Sequence, residues 1–228
     1  MRSAFEPVTA APRGAAVALR LALGVALCIA LCGDARADGG ASEPTYGRVA
    51  GDVTLVAAAG GAIASGGPRV EGELRVRYLE SAGLFATYED GSFAGSNADP
   101  QRVLAGGLEL RPFFLARWLK GHETEQPLLD LTIDSIGLEL GATLVQPSGA
   151  SFGARTGIEA GLGVEVPLAS RADGPWVGLH GGVRWSDEAL ASGRVNGASD
   201  REGYLAISLA WHVVVAAHVV DESDRLPR

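Results

Sequence analysis

The chain has 228 residues, a formal net charge of −8, 32 glycines and two cysteines. An acidic chain of this kind is a poor partner for nucleic acid, whose phosphates attract basic surfaces. The sequence contains no internal repeat and no low-complexity tract, which predicts a single domain.

Residues 1–37 have the order of a secretory signal peptide: positive charge, an apolar run and then small residues. The apolar run is LALGVALCIALC at 21–32, and Ala35-Arg36-Ala37 is a candidate cleavage site. The run is short for a membrane-spanning helix of about 20 residues, and an uncleaved N-terminal anchor is the alternative. Cleavage would remove both cysteines, four arginines and two acidic residues, so the net charge would change from −8 to −10.

Eight β-strands are predicted after a short disordered lead at 38–45. Runs of alternating apolar and polar residues predict strands, because successive side chains of a strand point to opposite faces. Segments rich in glycine, proline, asparagine, aspartate and serine separate the runs and predict turns. The predicted strands are 47–58, 69–80, 83–89, 103–114, 129–144, 152–168, 176–186 and 204–218, with a tail at 219–228.

The second, fourth and seventh predicted strands each carry apolar residues at one parity and charged residues at the other. Their apolar set is Val70, Gly72, Leu74, Val76, Tyr78, Leu104, Leu108, Leu110, Val177, Leu179, Val183 and Trp185, and their charged set is Arg69, Glu71, Glu73, Arg75, Arg77, Glu109, Arg111, His180 and Arg184. Pro112 predicts that the fourth strand ends near Arg111, because a closed barrel has no edge that tolerates proline.

The fifth predicted strand changes parity near Ser135, which a β-bulge would explain. A helical interpretation of PLLDLTIDSIGLEL at 127–140 is the alternative. The sixth predicted strand, FGARTGIEAGLGVEVPL at 152–168, keeps one parity throughout. Strands of soluble domains usually have about five or six residues, so this length is more typical of a strand tilted across a bilayer.

Two architectures share this pattern with opposite polarity. A soluble barrel or sandwich buries the apolar face, whereas a membrane barrel turns that face to lipid and encloses the charges. Glycines on the charged face favour the membrane barrel, because a lumen of about eight strands has room for long side chains only beside small ones. These glycines are Gly137, Gly141, Gly153, Gly157, Gly161, Gly163, Gly178 and Gly182.

Charge balance and aromatic placement favour the same architecture. Seven arginines and ten acids share the charged face and can neutralise one another when enclosed. Aromatic residues near strand ends are typical of membrane interfaces. The arginines are Arg48, Arg69, Arg75, Arg77, Arg111, Arg155 and Arg184; the aromatic residues are Tyr46, Tyr78, Tyr88, Trp118, Trp176, Trp185 and Tyr204, with Trp211 in the middle of a strand.

In strand count, alternation, charged interior face and signal peptide, residues 46–218 resemble the small eight-stranded outer-membrane barrels of the OmpA/OmpX type, in the porin-like superfamily. The resemblance implies an all-β, antiparallel, up-and-down transmembrane barrel in the outer membrane of a Gram-negative cell. It implies a plugged lumen, short periplasmic turns and longer external loops. The implied partners are outer-membrane lipid, lipopolysaccharide and the barrel-assembly machinery, with no nucleic acid, and the implied state is a monomer.

Two segments depart from the pattern of that family. Such barrels usually finish on an aromatic residue, whereas this chain continues past WHVVVAAHVV into DESDRLPR. The connection LARWLKGHETEQP at 115–127 is long for a periplasmic turn.

No residue is predicted to be catalytic, to bind a cofactor or to bind a metal. The four histidines have no metal-binding spacing. His180 is interpreted as a hydrogen-bonding group of the lumen, and His212 and His218 as interfacial. The remaining histidine is His122.

Known small barrels with enzyme activity act on lipid A, and one type has a His-x-Ser arrangement on a strand. Gly182 and Val214 stand where that serine would follow His180 and His212. The acidic pairs are interpreted as lumen charges and not as acid–base pairs. These pairs are Glu71/Glu73 and Asp130/Asp134.

The sequence therefore predicts an outer-membrane barrel that is not an enzyme, with a plugged, charge-lined lumen and a structural or surface-interaction role. The loops 90–101 and 187–201 are predicted to face outward. The alternatives are a soluble periplasmic or secreted barrel or sandwich that acts as a binding module, and a lipid-modifying barrel enzyme or narrow pore.

Overall fold

A computed structural model describes residues 45–92 and 98–217 and contains one closed barrel of eight antiparallel strands. Consecutive strands pair with each other, and β1 pairs with β8, which confirms the predicted all-β, up-and-down fold. The predicted signal peptide at 1–37, nearly all of the lead and the tail at 219–228 lie outside the described residues. The strands are β1 (Val53–Ala64), β2 (Gly67–Tyr78), β3 (Ala82–Asp90), β4 (Arg102–Leu110), β5 (Gly137–Gln146), β6 (Arg155–Pro167), β7 (Gly174–Ser186) and β8 (Arg201–Val215).

The two ends of the barrel carry different connections. We call the end at which β1 begins and β8 finishes the terminal end, and the opposite end the loop end. The terminal end carries the turns 79–81 and 168–173 and the connection 111–136. The loop end carries 65–66, 147–154 and 187–200, together with 91–92 and 98–101, the described parts of the connection between β3 and β4.

The barrel has apolar side chains outside and charged side chains inside. Ile63 and Leu108 on the outer face are 73% and 63% exposed, whereas Arg75 on the inner face is 2% exposed. The parity predicted for the second, fourth, sixth and seventh strands is confirmed at each of these strands. Outward-facing charges in the described strands are confined to the loop end, at Asp90, Arg102 and Arg201.

Every strand differs from its predicted bounds at one end or both. β1 is Val53–Ala64, not 47–58, because GGAIA continues the strand and only Ser65-Gly66 separates it from β2. A side chain at Gly60 would collide with the backbone of β8, since a Cβ there would lie 2.0 Å from the carbonyl oxygen of Ile207. That glycine marks close contact between strands and not a turn. β8 is displaced in the opposite direction, toward the N-terminus, to Arg201–Val215.

The long connection between β4 and β5 folds into two short helices. They are α1 (Phe113–Trp118) and α2 (Pro127–Asp134). The prediction of a strand from 129 with a bulge at Ser135 is wrong: the parity change is the end of α2, and the strand begins at Gly137. The helical alternative is right for 127–134, where proline occupies the first turn, a favoured position. β4 ends at Leu110, as Pro112 predicted.

A third helix, α3 (Asp187–Ser192), lies at the loop end directly after β7. The Ser186 hydroxyl accepts a hydrogen bond from the backbone N–H of Ala189 and so caps the helix. No helix in the described part of the chain is long and apolar enough to cross a bilayer.

Helix α2 places Leu131 at the terminal mouth of the barrel. Leu131 is 2% exposed and belongs to an apolar cluster with inward-facing side chains of β1, β7 and β8. The cluster is therefore the apolar floor of an otherwise charged interior. Its buried members are Tyr46, Val56, Leu131, Ala172, Trp176, Ala210 and Val214.

Candidate functional site: the enclosed charge network

Apart from Arg155, which is partly buried at the loop end and pairs with Asp200, the inner face of the strands, with Arg111 next to β4, presents eight glutamates and five arginines, and every one of these thirteen is buried. We call these residues the enclosed charges. Enclosed ions are tolerated only when they are paired and hydrogen-bonded, because their desolvation is expensive. The enclosed charges are Arg69, Arg75, Arg77, Arg111, Arg184, Glu71, Glu73, Glu89, Glu109, Glu139, Glu159, Glu165 and Glu202.

Five enclosed charges form a group near the loop end. Arg69 donates through Nη1 to Glu89 at 3.0 Å and to Glu202 at 2.8 Å. Arg184 donates to Glu89 and to Glu159. Each arginine thus bridges carboxylates of different strands, which links β2, β3, β6, β7 and β8 across the interior.

A second group lies at mid-depth around Arg75. Its guanidinium donates to Glu73 on the same strand, and its Nη1 donates to Glu139 on β5 at 2.6 Å. Nδ1 of His180 lies 2.9 Å from Oε1 of Glu139 and 3.2 Å from Nη2 of Arg75. His180 is therefore a lumen hydrogen-bonding group, as the sequence predicted.

The third group lies toward the terminal end. Glu109 accepts hydrogen bonds from Nε of Arg77 at 2.9 Å and from Nε of Arg111 at 2.7 Å. Glu165 on β6 accepts from the same two arginines. Two arginines and two glutamates thus form a closed ring, and this ring holds β2, the end of β4 and β6 together.

The terminal mouth is covered by a separate cluster of charges outside the strands, which we call the cap. Arg48 donates to Asp134 of α2 and to Glu123 at 2.7 Å, and its guanidinium lies over the Phe114 ring of α1. Arg117 of α1 donates to Asp134 at 2.7 Å. The prediction of Arg48 and Asp134 as lumen charges on strands is wrong, because both belong to the cap.

Asp130 is the most strongly bonded group of the cap and is likewise not a strand residue. Burial acts to raise the pKa of Asp130, but hydrogen bonds from Thr124 and the Arg117 guanidinium lower it below its ordinary value. The Tyr46 hydroxyl donates to Asp130 at 3.0 Å, and burial together with this carboxylate raises the pKa of Tyr46 to about 12. The cap is therefore built around an ionised Asp130 at neutral pH.

Glycines on the inner face leave space for large polar side chains, as predicted, except that Gly153 lies in the turn 147–154 and not on a strand. A Cβ on Gly163 would lie 2.4 Å from Nδ1 of His180. A Cβ on Gly182 or on Gly161 would lie 3.0 Å from an atom of Tyr204. Arg184 stacks on the other side of this tyrosine, with its Cζ 3.9 Å from the ring centroid.

The predicted belt of strand-end aromatic residues is only partly correct. Tyr78, Tyr88 and Trp185 point outward near strand ends. Trp176 and Tyr204 point inward, and Trp176 stacks on His212 with the ring centroids 4.5 Å apart. The interfacial interpretation of His212 is thus wrong, because this ring is inside the barrel. The alternation of side chains in the sequence would have placed all three residues inside the barrel. Trp176 has the same parity as His180 on β7, and Tyr204 and His212 have the same parity as Glu202 on β8.

The remaining sequence-predicted aromatic and histidine residues lie elsewhere. Tyr46 is buried in the cap, and Trp118 ends α1. Trp211 is outward-facing and 47% exposed. His122 is exposed beside the cap, and His218 lies outside the described residues.

One inner-face arrangement places a hydroxyl near an imidazole and a carboxylate. A Cβ on Gly178 would lie 2.8 Å from Oγ of Ser208 and 3.0 Å from Nε2 of His180, whose other nitrogen contacts Glu139. Within the described residues, neither Oγ of Ser208 nor Nε2 of His180 has a hydrogen-bond partner. The hydroxyl and the imidazole are therefore not bonded to each other as an activated nucleophile and its base would be.

No protein-family model matches the chain, and the comparison with curated proteins gives no match. The functional interpretation therefore depends on the geometry of the barrel itself.

Proposed function

We propose that this protein is an outer-membrane β-barrel with a closed, charge-filled lumen and a structural or surface-interaction role. The observation that carries the proposal is the inverted polarity of the barrel wall. Large apolar side chains are exposed on every strand, and the charges that a soluble protein would display are enclosed.

The height of the apolar surface supports a membrane location. The shortest strands, β3 and β4, have nine residues, and transmembrane strands need about 9–11 residues when tilted. Nine residues span about 30 Å, which a tilt of roughly 40° reduces to about 23 Å, close to the lipid-facing band of about 25 Å in such barrels. The outward charges Asp90, Arg102 and Arg201 lie at the loop end, where headgroups and water would meet them.

The filling of the interior supports a closed lumen and not a diffusion pore. Eight-stranded barrels have an interior that side chains can fill. Here arginines from one side reach carboxylates on the other, and a cavity at the loop end that is lined by Thr143, Arg184 and Glu202 measures only about 10 Å³. That volume accommodates about one water molecule. Leu131 and the cap cover the terminal mouth.

The loop end is the proposed interaction surface. The segment 187–200 is largely exposed, contains α3 and is the longest connection between strands at that end. We assign the loop end to the cell exterior and the cap to the periplasm.

The experiment is to express the full chain in a Gram-negative host and to separate outer membrane, inner membrane and soluble periplasm. We expect the protein in the outer-membrane fraction, and we expect unboiled samples to migrate differently from boiled ones on a denaturing gel. Recovery of the folded protein in the soluble periplasm without detergent would contradict the proposal.

Trypsin added to intact cells tests the orientation. Arg194 at the loop end and Lys120 in the cap are both exposed and form a matched pair. We expect cleavage after Arg194 in intact cells, and cleavage after Lys120 only after the outer membrane is permeabilised. The reverse order would contradict the assignment of the two ends.

A further inference from the structure

The enclosed charges are not balanced. The loop-end group has three glutamates and two arginines. The mid-depth group, the terminal-end group and Glu71 form a second set, which has five glutamates and three arginines. When all eight residues are ionised and the enclosed histidines His180 and His212 are neutral, the second set carries two excess negative charges. Burial of uncompensated charge is costly, so this part of the interior favours an additional cation.

Two free ligand atoms lie in this same region. Oε1 of Glu73 is occupied by Arg75, but Oε2 has no hydrogen-bond partner within the described residues. Nε2 of His180 also has none. Glu73 and His180 are 4% and 3% exposed, so water does not satisfy these atoms from outside. Buried polar atoms are normally satisfied, and an unpaired one calls for an explanation, of which a bound water or ion is one.

A third ligand is close to these two. One ligand atom from each of Glu73, His180 and Glu165 lies within 4.8 Å of the other two. Glu165 accepts hydrogen bonds from Arg77 and Arg111, but a carboxylate has about four lone-pair sites and can still coordinate a metal. The three residues come from β2, β7 and β6.

The environment of His180 has the arrangement that metal-binding histidines require. Such a histidine usually donates its second ring N–H to a carboxylate, which fixes the tautomer and directs the other nitrogen to the metal. Nδ1 of His180 lies 2.9 Å from Glu139. With the proton on Nδ1, Nε2 presents a lone pair to the metal. Nη2 of Arg75 also lies near Nδ1 and would favour the other tautomer, but metal binding at Nε2 would keep the proton on Nδ1.

We propose that Glu73, His180 and Glu165 bind one divalent transition-metal ion of the Zn²⁺ class inside the barrel. One imidazole nitrogen and two carboxylate oxygens suit Zn²⁺, whereas Mg²⁺ and Ca²⁺ prefer oxygen ligands alone. Bonds of about 2.0–2.2 Å in a tetrahedral site place ligand atoms about 3.4 Å apart, so the side chains close on the ion by about 1 Å. This site was not predicted from the sequence, because its ligands are far apart in the chain.

The metal has a structural role at this position. It joins three strands at the place where the arginines leave carboxylates in excess, and the buried site is filled while the barrel folds. The three residues leave the fourth position of a tetrahedral site unfilled, and the unpaired hydroxyl of Ser208 lies near Nε2 of His180. The inference does not depend on the membrane location, since it concerns the barrel interior alone.

The experiment measures zinc in protein purified without a histidine tag from cells that express the full sequence. The protein is unfolded in urea with chelator, refolded with Zn²⁺ or with Mg²⁺, passed over a desalting column and analysed by elemental mass spectrometry. We expect about one zinc per chain and no retained magnesium. Zinc below about 0.1 per chain after refolding would overturn the proposal.

Three variants locate the ion. Glu73→Gln and His180→Gln should weaken zinc binding at least tenfold in competition with a chromophoric chelator. Glu71→Gln removes the same charge two residues from Glu73 on the same face of β2 without removing a ligand, and should weaken zinc binding much less than Glu73→Gln does. Unchanged binding in Glu73→Gln, or an equal loss in Glu71→Gln, would overturn the site.

Cobalt gives a readout that does not require the variants to fold. The unchanged chain refolded with Co²⁺ should show visible absorption of the intensity expected for four-coordinate cobalt, and Zn²⁺ should abolish it by displacement. A spectrum identical to that of cobalt in buffer would overturn the proposal.

Discussion

Ile158 and Glu159 are consecutive residues of β6, and the glutamate is the buried one. Ile158 is 41% exposed on the outer face, whereas Glu159 is 1% exposed and bonded to Arg184 inside. In a water-soluble protein the two environments would be exchanged. This inversion continues around the barrel and underlies the proposed membrane location.

Leu162→Arg should prevent stable insertion into the membrane. Leu162 is outward-facing and 57% exposed in the middle of β6, and an arginine at the bilayer midplane costs about 2–4 kcal/mol. Thr156→Arg is the matched control, because Thr156 lies on the same face of the same strand near the loop end, where the cost is about 0–1 kcal/mol. The measurement is the amount of each variant in the outer-membrane fraction. Equal amounts of both variants would show that Leu162 does not face lipid.

Glu159→Leu should destabilise the barrel from within. The substitution leaves the buried Arg184 without one of its carboxylates, and loss of one partner of a buried pair costs about 3–5 kcal/mol. Glu159→Gln keeps an oxygen acceptor and should cost less. Urea unfolding in detergent micelles measures both differences. If the leucine variant unfolds at the same urea concentration as the unchanged chain, the enclosed pair does not contribute to stability.

Gly163→Ala should be much more harmful than Gly72→Ala. A Cβ on Gly163 would lie 2.4 Å from the His180 ring and 3.1 Å from Glu139, and crowding of this kind typically costs about 1–3 kcal/mol. A Cβ on Gly72, on the outer face of β2, meets nothing within 4 Å, so that alanine should be neutral or stabilising. Thermal unfolding of the two variants makes the comparison. Similar losses at both positions would contradict the packing argument.

The cap should detach at acidic pH. The pKa of Asp130 is lower in the folded protein than its ordinary value of about 3.9. The stability that ionised Asp130 gives to the cap is therefore present above that ordinary value and is lost as the pH falls through the pKa of the folded state. Pepsin, which is active in this range, should cleave α1 slowly at pH 4.5 and rapidly at pH 2.5. Asp130→Asn should already be cleaved rapidly at pH 4.5. Identical cleavage rates for both chains at both pH values would exclude this role of Asp130.

The alternation of side chains made most of the barrel predictable. Leu74 and Arg75 are adjacent residues of β2. Once the apolar positions were assigned to one face of the strand, the environments of both residues and of their neighbours on β2 followed. The same rule breaks at α2, because Leu129, Leu131 and Ile133 alternate as a strand would, although 127–134 is a helix. A helix of eight residues is too short for its periodicity to be distinguished from alternation.

The cap and the proposed metal site were beyond sequence reasoning for another reason. Arg48 and Asp134 are 86 residues apart. Glu73 is 92 residues from Glu165 and 107 residues from His180. Only the closure of the barrel brings such residues together. Parity states which face a side chain occupies. It does not state the height of that side chain, which depends on the strand register.

A spin label at position 162 tests the inverted polarity most directly. Leu162→Cys, in a chain whose Cys28 and Cys32 are replaced by serine, is labelled with a nitroxide and reconstituted into liposomes. The account predicts that the label collides frequently with apolar oxygen and rarely with a water-soluble nickel complex, and that a label at Thr156→Cys shows a smaller preference. A label at 162 that the nickel complex reaches more readily than oxygen would contradict the account.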